Sequence, residues 1–284
     1  MTTTQVLAGI PDSGKTTFVA ALRYCLVSGE VETVLELVRF SQNETHLNTI
    51  EEKWVACEQV ERTKEPTSAW VRFHVRDKAS GAESEILVPD LLGEAFRQPA
   101  ATGRCRRSLY DAMVAADGMI LFTNAARGID DLMINEVGDV LDALADGTEA
   151  SEPSEPKKFD PEDMPEEAHL VELLQVINRR PQSPRMRQLA VIISAWDVAE
   201  ADALAPEAWL SAKRPMLAQF LEHNSDLWET RVFGVSAQGG VLPRDCETLR
   251  GLKPSLKTKV VGPGAAEHDL SATIYWAMAR ESKP

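Results

Sequence analysis

A glycine-rich segment close to the N-terminus constrains this chain most. It consists of Gly9, Ile10, Pro11, Asp12, Ser13, Gly14, Lys15 and Thr16, and Thr17 follows it. The apolar residues 5–9 end at this segment and helical apolar spacing begins after Lys15, so we expect a strand, a loop and a helix. Loop N–H groups and the start of a helix bind phosphate oxygens.

The residue types at the end of this segment indicate a particular phosphate ligand. Lys15 would place its charge on the β- and γ-phosphates, and the hydroxyl of Thr16 would bind Mg²⁺. The pattern is a complete P-loop in its usual structural setting. It therefore predicts that the chain binds a nucleoside triphosphate.

The rest of the chain alternates between apolar runs and helical stretches. Apolar strands are predicted at residues 69–77, 84–90, 118–125, 189–195 and 230–237. The first two are separated by a glycine-containing turn and indicate an antiparallel hairpin. The order predicts one elaborated α/β domain over residues 1–284, with three layers, a mainly parallel sheet and one antiparallel edge strand.

Two segments interrupt this alternation. Residues 31–61 are expected to be a mostly helical insertion, with Leu35, Leu37 and Val38 in one stretch and Trp54 in the next. Residues 146–168 are rich in carboxylates and prolines and poor in apolar anchors. This composition predicts an exposed acidic insertion.

Polar or small residues follow three of the predicted strands. Asp90 could reach Mg²⁺ through water and the Gly93 N–H could meet the γ-phosphate, although this pattern also fits a strand-terminal turn. Asp197 could accept two N–H bonds from guanine, or could simply cap a helix. The small pair Ser236 and Ala237 would let a backbone N–H meet the guanine oxygen.

In this order, the P-loop, the hairpin, Asp90 to Gly93, Ser194 to Asp197 and Ser236–Ala237 resemble the translation-factor-related (TRAFAC), Ras-like class of GTPases. Within that class the chain is similar to the bacterial double-GTPase families of conflict and defence islands. The features of this narrower resemblance are Glu94 directly after Gly93, the Arg62–Thr63 pair, Trp196 and the C-terminal run containing Ile274, Tyr275 and Trp276.

The resemblance implies roles for further residues. Thr63, or else Thr67, would be the switch threonine that contacts Mg²⁺. Arg62 would be an arginine finger in cis or a plain surface residue, and Glu94 replaces the glutamine that orients water. Asp12 occupies the position where related GTPases carry an asparagine that binds a monovalent cation, so it could bind K⁺ or Na⁺ or only the loop backbone.

The Ser194–Ala195 pair departs from the Asn-Lys pair of the class. The lysine stem that covers the base is lost, which would weaken guanine binding. Glu94 brings a negative charge close to the γ-phosphate, so hydrolysis is expected to be slow or to need a partner protein.

The composition excludes several other classes of protein. There are 30 basic and 44 acidic residues, a net charge of −14, which disfavours nucleic acid as a partner. The four cysteines are far apart and form no CxxC pair, so neither a disulfide framework nor a zinc site is expected. The sequence has neither a membrane-spanning run nor a secretory signal, which predicts a cytoplasmic protein.

These features predict a GTP-hydrolysing switch that binds GTP, GDP and Mg²⁺ and acts with a protein partner, as in a bacterial antiviral defence or regulatory complex. A nucleotide-bound scaffold with little or no hydrolysis is the first alternative. A P-loop ATPase is the second, against which the hairpin before Asp90 and the strand-tip Asp197 argue.

Overall fold

A computed structural model of the chain describes residues 2–42, 44–58, 70–89, 93–127, 164–179 and 185–278. Eight strands of these residues form one sheet. The strands are β1 Thr3–Ala8, β2 Leu35–Gln42, β3 Val71–Asp77, β4 Glu83–Val88, β5 Gly118–Asn124, β6 Arg187–Ser194, β7 Trp228–Ser236 and β8 Lys259–Val261. Their order is β2-β3-β4-β1-β5-β6-β7-β8, so β1 and its loop are central.

The sheet is mostly parallel, as the sequence predicts. Strands β4, β1, β5, β6 and β7 run in one direction. Strand β3 is antiparallel to both β2 and β4, and β8 is antiparallel to β7. The predicted hairpin is β3–β4. Its strand β3 lies inside the sheet because β2 pairs outside it, and the predicted antiparallel edge strand is β8.

Helices cover both faces of the sheet and complete the predicted three layers. One apolar core lies under α1 Lys15–Ser28, α2 Glu44–Val55 and α10 Ser271–Met278. The core on the other face lies under α3 Glu94–Thr102, α4 Arg107–Ala115, α5 Glu166–Asn178, α6 Trp196–Ala199, α7 Pro206–Lys213 and α8 Pro215–His223. Between β7 and β8 lie α9 Cys246–Arg250 and a 3-10 turn, Pro254–Lys257.

The prediction that residues 31–61 are mostly helical is wrong for Leu35–Gln42, which form β2. Helix α2 occupies only Glu44–Val55. The apolar residues of the first stretch fit a strand because β3 offers its free edge to them, a contact between segments distant in sequence.

The helical stretch predicted at 206–223 is two helices, because Pro215 cannot donate a backbone bond and starts a new helix after Arg214. The predicted acidic insertion lies outside the described residues between 146 and 163, as does the helix expected at 134–144. Its last carboxylates, Glu166 and Glu167, are not exposed: they begin α5 and are buried.

None of the helices in the described ranges has the length and apolar character needed to cross a bilayer.

Candidate functional site

The loop between β1 and α1 is wrapped around the ammonium group of Lys15. This side chain is 2% exposed, and its Nζ donates to the carbonyl oxygens of Gly9 at 2.7 Å and Ile10 at 2.8 Å. A third bond goes to Ser13 Oγ at 3.1 Å. The glycine-rich segment therefore holds one positive charge inside the loop.

Helix α1 begins directly at the end of this loop. Gly14 is the N-cap with a φ of 86°, in the left-handed region, and no side chain caps the helix. The first N–H groups of a helix have no partner within it, and its dipole favours an anion there. Thr16 and Thr17 follow in the first turn and are half-buried. These residues fit a phosphate group with its Mg²⁺, which Thr16 would hold.

The N-terminus of α3 packs directly on this loop. Gly93 has a φ of 84°, and a Cβ added to it would lie 2.6 Å from Ile10 C and from Pro11 N and 2.7 Å from Lys15 Nζ. Only glycine allows this approach. The ring of Phe96 lies below Lys15, with its centroid 5.9 Å from Nζ. Glu94 is exposed at the first position of the helix.

A residue that the sequence analysis missed holds the loop from the β5 side. Asn124 Nδ2 donates to the carbonyl oxygen of Asp12 at 2.6 Å, and Asn124 Oδ1 accepts from the N–H of Ala126 at 2.9 Å. Arg127 lies 3.9 Å from the carboxylate of Asp12. Asn124 could have been recognised from the sequence, because it is a polar residue at the end of a buried strand, as are Asp90 and Asp197.

A buried arginine supports the tip of β5. Arg214 donates to Thr123 Oγ1 at 3.3 Å and to the carbonyl oxygen of Asn124 at 3.1 Å, and its Nη2 lies 3.3 Å from Glu166 Oε2. Its guanidinium also lies over the ring of Trp209, 5.5 Å from the centroid. Pairing offsets the cost of burying both charges. The start of α5 is thereby fixed behind the phosphate loop.

The ends of β5, β6 and β7 are in register. The loop therefore lies next to the residues that follow β6 and β7. Asn124 pairs with Ser194, and Ser194 pairs with Val235. A Cβ on Gly14 would lie 2.8 Å from the Cβ and Oγ of Ser194, whose hydroxyl donates to the carbonyl oxygen of Thr123 at 3.2 Å. The small Ser194 therefore forms part of the wall behind the loop.

Asp197 and Ser236 meet at the neighbouring tips of β6 and β7. Ser236 Oγ donates to Asp197 Oδ1 at 2.7 Å and accepts the N–H of Gly239 at 3.1 Å. Trp196 is 2% exposed and packs over Gly234, where an added Cβ would lie 2.2 Å from its ring. Trp196 therefore anchors Asp197, and a hydrogen bond fixes one carboxylate oxygen.

The structure thus brings together the loop, Gly93, Asp197, Ser236 and Ala237. The remaining predicted site residues, Asp90, Arg62, Thr63 and its alternative Thr67, lie outside the described residues and stay predictions.

The sequence was compared with models of protein families and with curated proteins. The family model described as Double-GTPase 1 matches residues 6–277. No curated protein matches the sequence.

The similar solved structures include a GTPase-like domain, an elongation factor and the G domain of an iron transporter. The GTP-bound GTPase-like domain of S. cerevisiae Ski7 is 12% identical, with 84% of this chain and 44% of that chain covered and a TM-score of 0.43. The bacterial selenocysteine-specific elongation factor EF-Sec is 14% identical, with 88% of this chain and 28% of that chain covered and a TM-score of 0.35. The G domain of the T. maritima FeoB iron transporter is 11% identical, with 87% of this chain and 96% of that chain covered and a TM-score of 0.30. The chain spans less than half of the first two proteins.

Proposed function

The chain belongs to the Double-GTPase 1 family, and we propose that it binds GTP, hydrolyses it to GDP and phosphate with Mg²⁺, and acts as a nucleotide-dependent switch. One observation carries this proposal. The phosphate loop packs on Ser194 through Gly14, and the pair of Asp197 and Ser236 lies on the adjoining strand tips. Ligands of open α/β sheets bind at these carboxyl ends.

The phosphate contacts follow from the geometry of the loop. Lys15 would exchange its bonds to the loop carbonyls for bonds to the β- and γ-phosphates, since its ammonium already lies inside the loop. The N–H of Gly93 would meet the γ-phosphate, because Gly93 lies against Lys15. Thr16 and, by prediction, Asp90 and Thr63 would hold Mg²⁺, which neutralises the charge that develops during phosphoryl transfer.

The base contacts follow from the strand tips. Asp197 would accept the two N–H bonds of the guanine edge, with its orientation fixed by Ser236. The N–H of Ala237 would meet the guanine oxygen. Adenine presents the opposite pattern of donors and acceptors there, so these contacts favour guanine.

Hydrolysis is expected to be slow or partner-activated. Glu94 would orient the attacking water, but it brings negative charge to the phosphates. Arg62 would supply a cation in cis. The guanidinium of Arg127 lies 3.9 Å from the carboxylate of Asp12, the residue that would bind a monovalent cation. Equal turnover in K⁺, Na⁺ and choline buffers would remove the monovalent cation from the proposal.

A scaffold that holds nucleotide without turnover is the second candidate, favoured by the exposed carboxylate of Glu94 at the start of α3. A single-turnover assay with candidate partner proteins separates the two, because phosphate release under any condition excludes the inert scaffold. A role in a bacterial defence complex is proposed from the resemblance alone, and identification of co-purifying partners tests it.

The decisive experiment identifies the bound nucleotide. The purified protein is denatured and the released nucleotide is separated by chromatography, with Lys15→Ala and the exposed Lys78→Ala in parallel. We expect guanine nucleotide from the unmodified protein and from Lys78→Ala, and none from Lys15→Ala. Equal affinities for GTP and ATP would contradict the guanine assignment and favour the ATPase.

A further inference from the structure

A segment after β7 holds the C-terminal end of α2. We call residues 246–257 the clasp. Arg250 Nε donates to the carbonyl oxygen of Ala56 at 2.9 Å, and Lys257 Nζ donates to that of Val55 at 3.1 Å. The last carbonyls of a helix have no partner within it, and positive charge is favourable there. The clasp therefore supplies the caps of α2.

The clasp also surrounds the residue that follows α2. Lys257 Nζ lies 2.9 Å from the thiol of Cys57, and the thiol of Cys246 contacts the carbonyl oxygen of Cys57 at 3.4 Å. Cys57 has a φ of 55°, a left-handed conformation that a non-glycine residue adopts at a cost. These contacts stabilise the turn and fix the end of α2 in position.

Trp54, in the last turn of α2, reaches the loop predicted to read the base. Its indole is fully buried, and its Nε1–H donates to the carbonyl oxygen of Ala237 at 2.9 Å. The ring of Tyr24 packs 5.5 Å away, and Lys257 Nζ lies 5.6 Å from the indole. Ring packing and hydrogen bond together hold Trp54 in one orientation.

The residues after β7 are thereby fixed from two sides. Ser236 binds Asp197 and the N–H of Gly239, whereas Ala237 is held by Trp54. Gly239 in turn lies against the clasp, because a Cβ there would be 2.5 Å from the carbonyl oxygen of Lys257. Loss of the Trp54 bond would remove a hydrogen bond from the carbonyl oxygen of Ala237, a buried residue.

We propose that Trp54 is a positioning residue for guanine recognition, and that its bond to Ala237, held in place by the clasp, makes α2 part of the base-binding site. The inference rests on the proposed function, in which Asp197 and Ala237 read the base. Trp54 acts through Ala237: a fixed carbonyl fixes the conformation of this residue, and its N–H then points where the guanine oxygen binds.

The test compares two substitutions of buried tryptophans. Trp54→Phe keeps most of the ring and removes the N–H donor. Trp228→Phe is the control, because Trp228 lies at the opposite end of β7, is 1% exposed and has an indole N–H with no partner among the described residues. Dissociation constants for GDP and for inorganic tripolyphosphate, which lacks a base, are measured by titration calorimetry.

We expect Trp54→Phe to weaken GDP binding about 3- to 10-fold, the effect of one hydrogen bond, with tripolyphosphate binding unchanged. Trp228→Phe should change neither constant. Lys257→Met keeps the aliphatic stem and removes the bonds to α2, so it should weaken GDP selectively as well. If Trp54→Phe does not fold, Lys257→Met still tests whether the contacts of α2 affect GDP binding.

Equal losses for GDP and tripolyphosphate, or an unchanged GDP constant in both Trp54→Phe and Lys257→Met, would overturn the inference. Asp197→Ala separates this failure from that of the proposed function. If Asp197→Ala weakens GDP binding while Trp54→Phe and Lys257→Met do not, only the positioning role of Trp54 fails. If Asp197→Ala also leaves GDP unchanged, the base assignment itself fails.

Discussion

Replacing Gly93 by alanine tests the contact between α3 and the phosphate loop. In the present conformation the new methyl group would lie 2.6 Å from backbone atoms of Ile10 and Pro11 and 2.7 Å from Lys15 Nζ. The left-handed φ of 84° adds strain of about 1–2 kcal/mol for a residue with a Cβ. Overpacking against a rigid neighbour adds about 1–3 kcal/mol.

Gly103 offers a matched control at the other end of the same helix. It also has a left-handed φ, of 66°, but a Cβ there would meet nothing within 4 Å among the described residues. Gly103→Ala therefore carries the strain without the overpacking. We expect the free energy of unfolding to fall by about 2–5 kcal/mol in Gly93→Ala and by about 1–2 kcal/mol in Gly103→Ala.

Urea denaturation of the nucleotide-free protein measures both values, and titration with GDP measures the functional consequence. Because the methyl group would displace Lys15, GDP binding should weaken in Gly93→Ala and stay unchanged in Gly103→Ala. Equal losses of stability in the two variants, with GDP binding intact in both, would refute the close approach of α3 to the loop.

Two further predictions concern residues that support the site, and a third concerns a buried thiol. Asn124→Ala removes the bond to the Asp12 carbonyl oxygen, so GDP binding should weaken by about 0.5–1.5 kcal/mol in calorimetry. Gly234→Ala would place a methyl group 2.2 Å from the Trp196 ring, and urea denaturation should show a loss of about 1–3 kcal/mol. Burial raises the pKa of Cys25 to about 12, so its reactive thiolate is a very minor species at pH 8. Iodoacetamide at pH 8 should therefore label Cys25 in urea but not in the native protein, as mass spectrometry would show.

The glycine-rich segment could be predicted from the sequence because its signals are local. Gly14 and Lys15 stand at fixed spacing between an apolar strand and a helix, and no distant residue is needed to recognise them. The β3–β4 hairpin could be predicted equally well, since alternating apolar residues on either side of a turn specify both strands.

Strand β2 could not be recognised in this way. Leu35, Leu37 and Val38 are compatible with helical spacing, and the segment becomes a strand by pairing with β3, whose residues lie 30 to 42 positions later. Strand β8 has only 3 residues, too few for any periodicity. Both edge strands depend on partners that the local sequence does not reveal.

The buried carboxylates illustrate the same limit for charge patterns. Glu166 and Glu167 end an acidic run, so their composition indicated exposure. Their partners, Arg214 and the N–H groups of Met216 and Leu217, lie about 50 residues later. A charged residue is buried where a distant partner offsets the loss of water, which composition cannot show.

A single substitution at Asp197 shows whether this carboxylate selects guanine. Xanthine carries a carbonyl oxygen where guanine carries its amino group, and the amide of asparagine can donate a hydrogen bond to that oxygen. Dissociation constants for GDP and xanthosine diphosphate are measured for the unmodified protein and for Asp197→Asn. We expect the unmodified protein to prefer GDP and Asp197→Asn to reverse the preference, with GDP binding weakened at least about tenfold. The same preference for GDP in both proteins would contradict it.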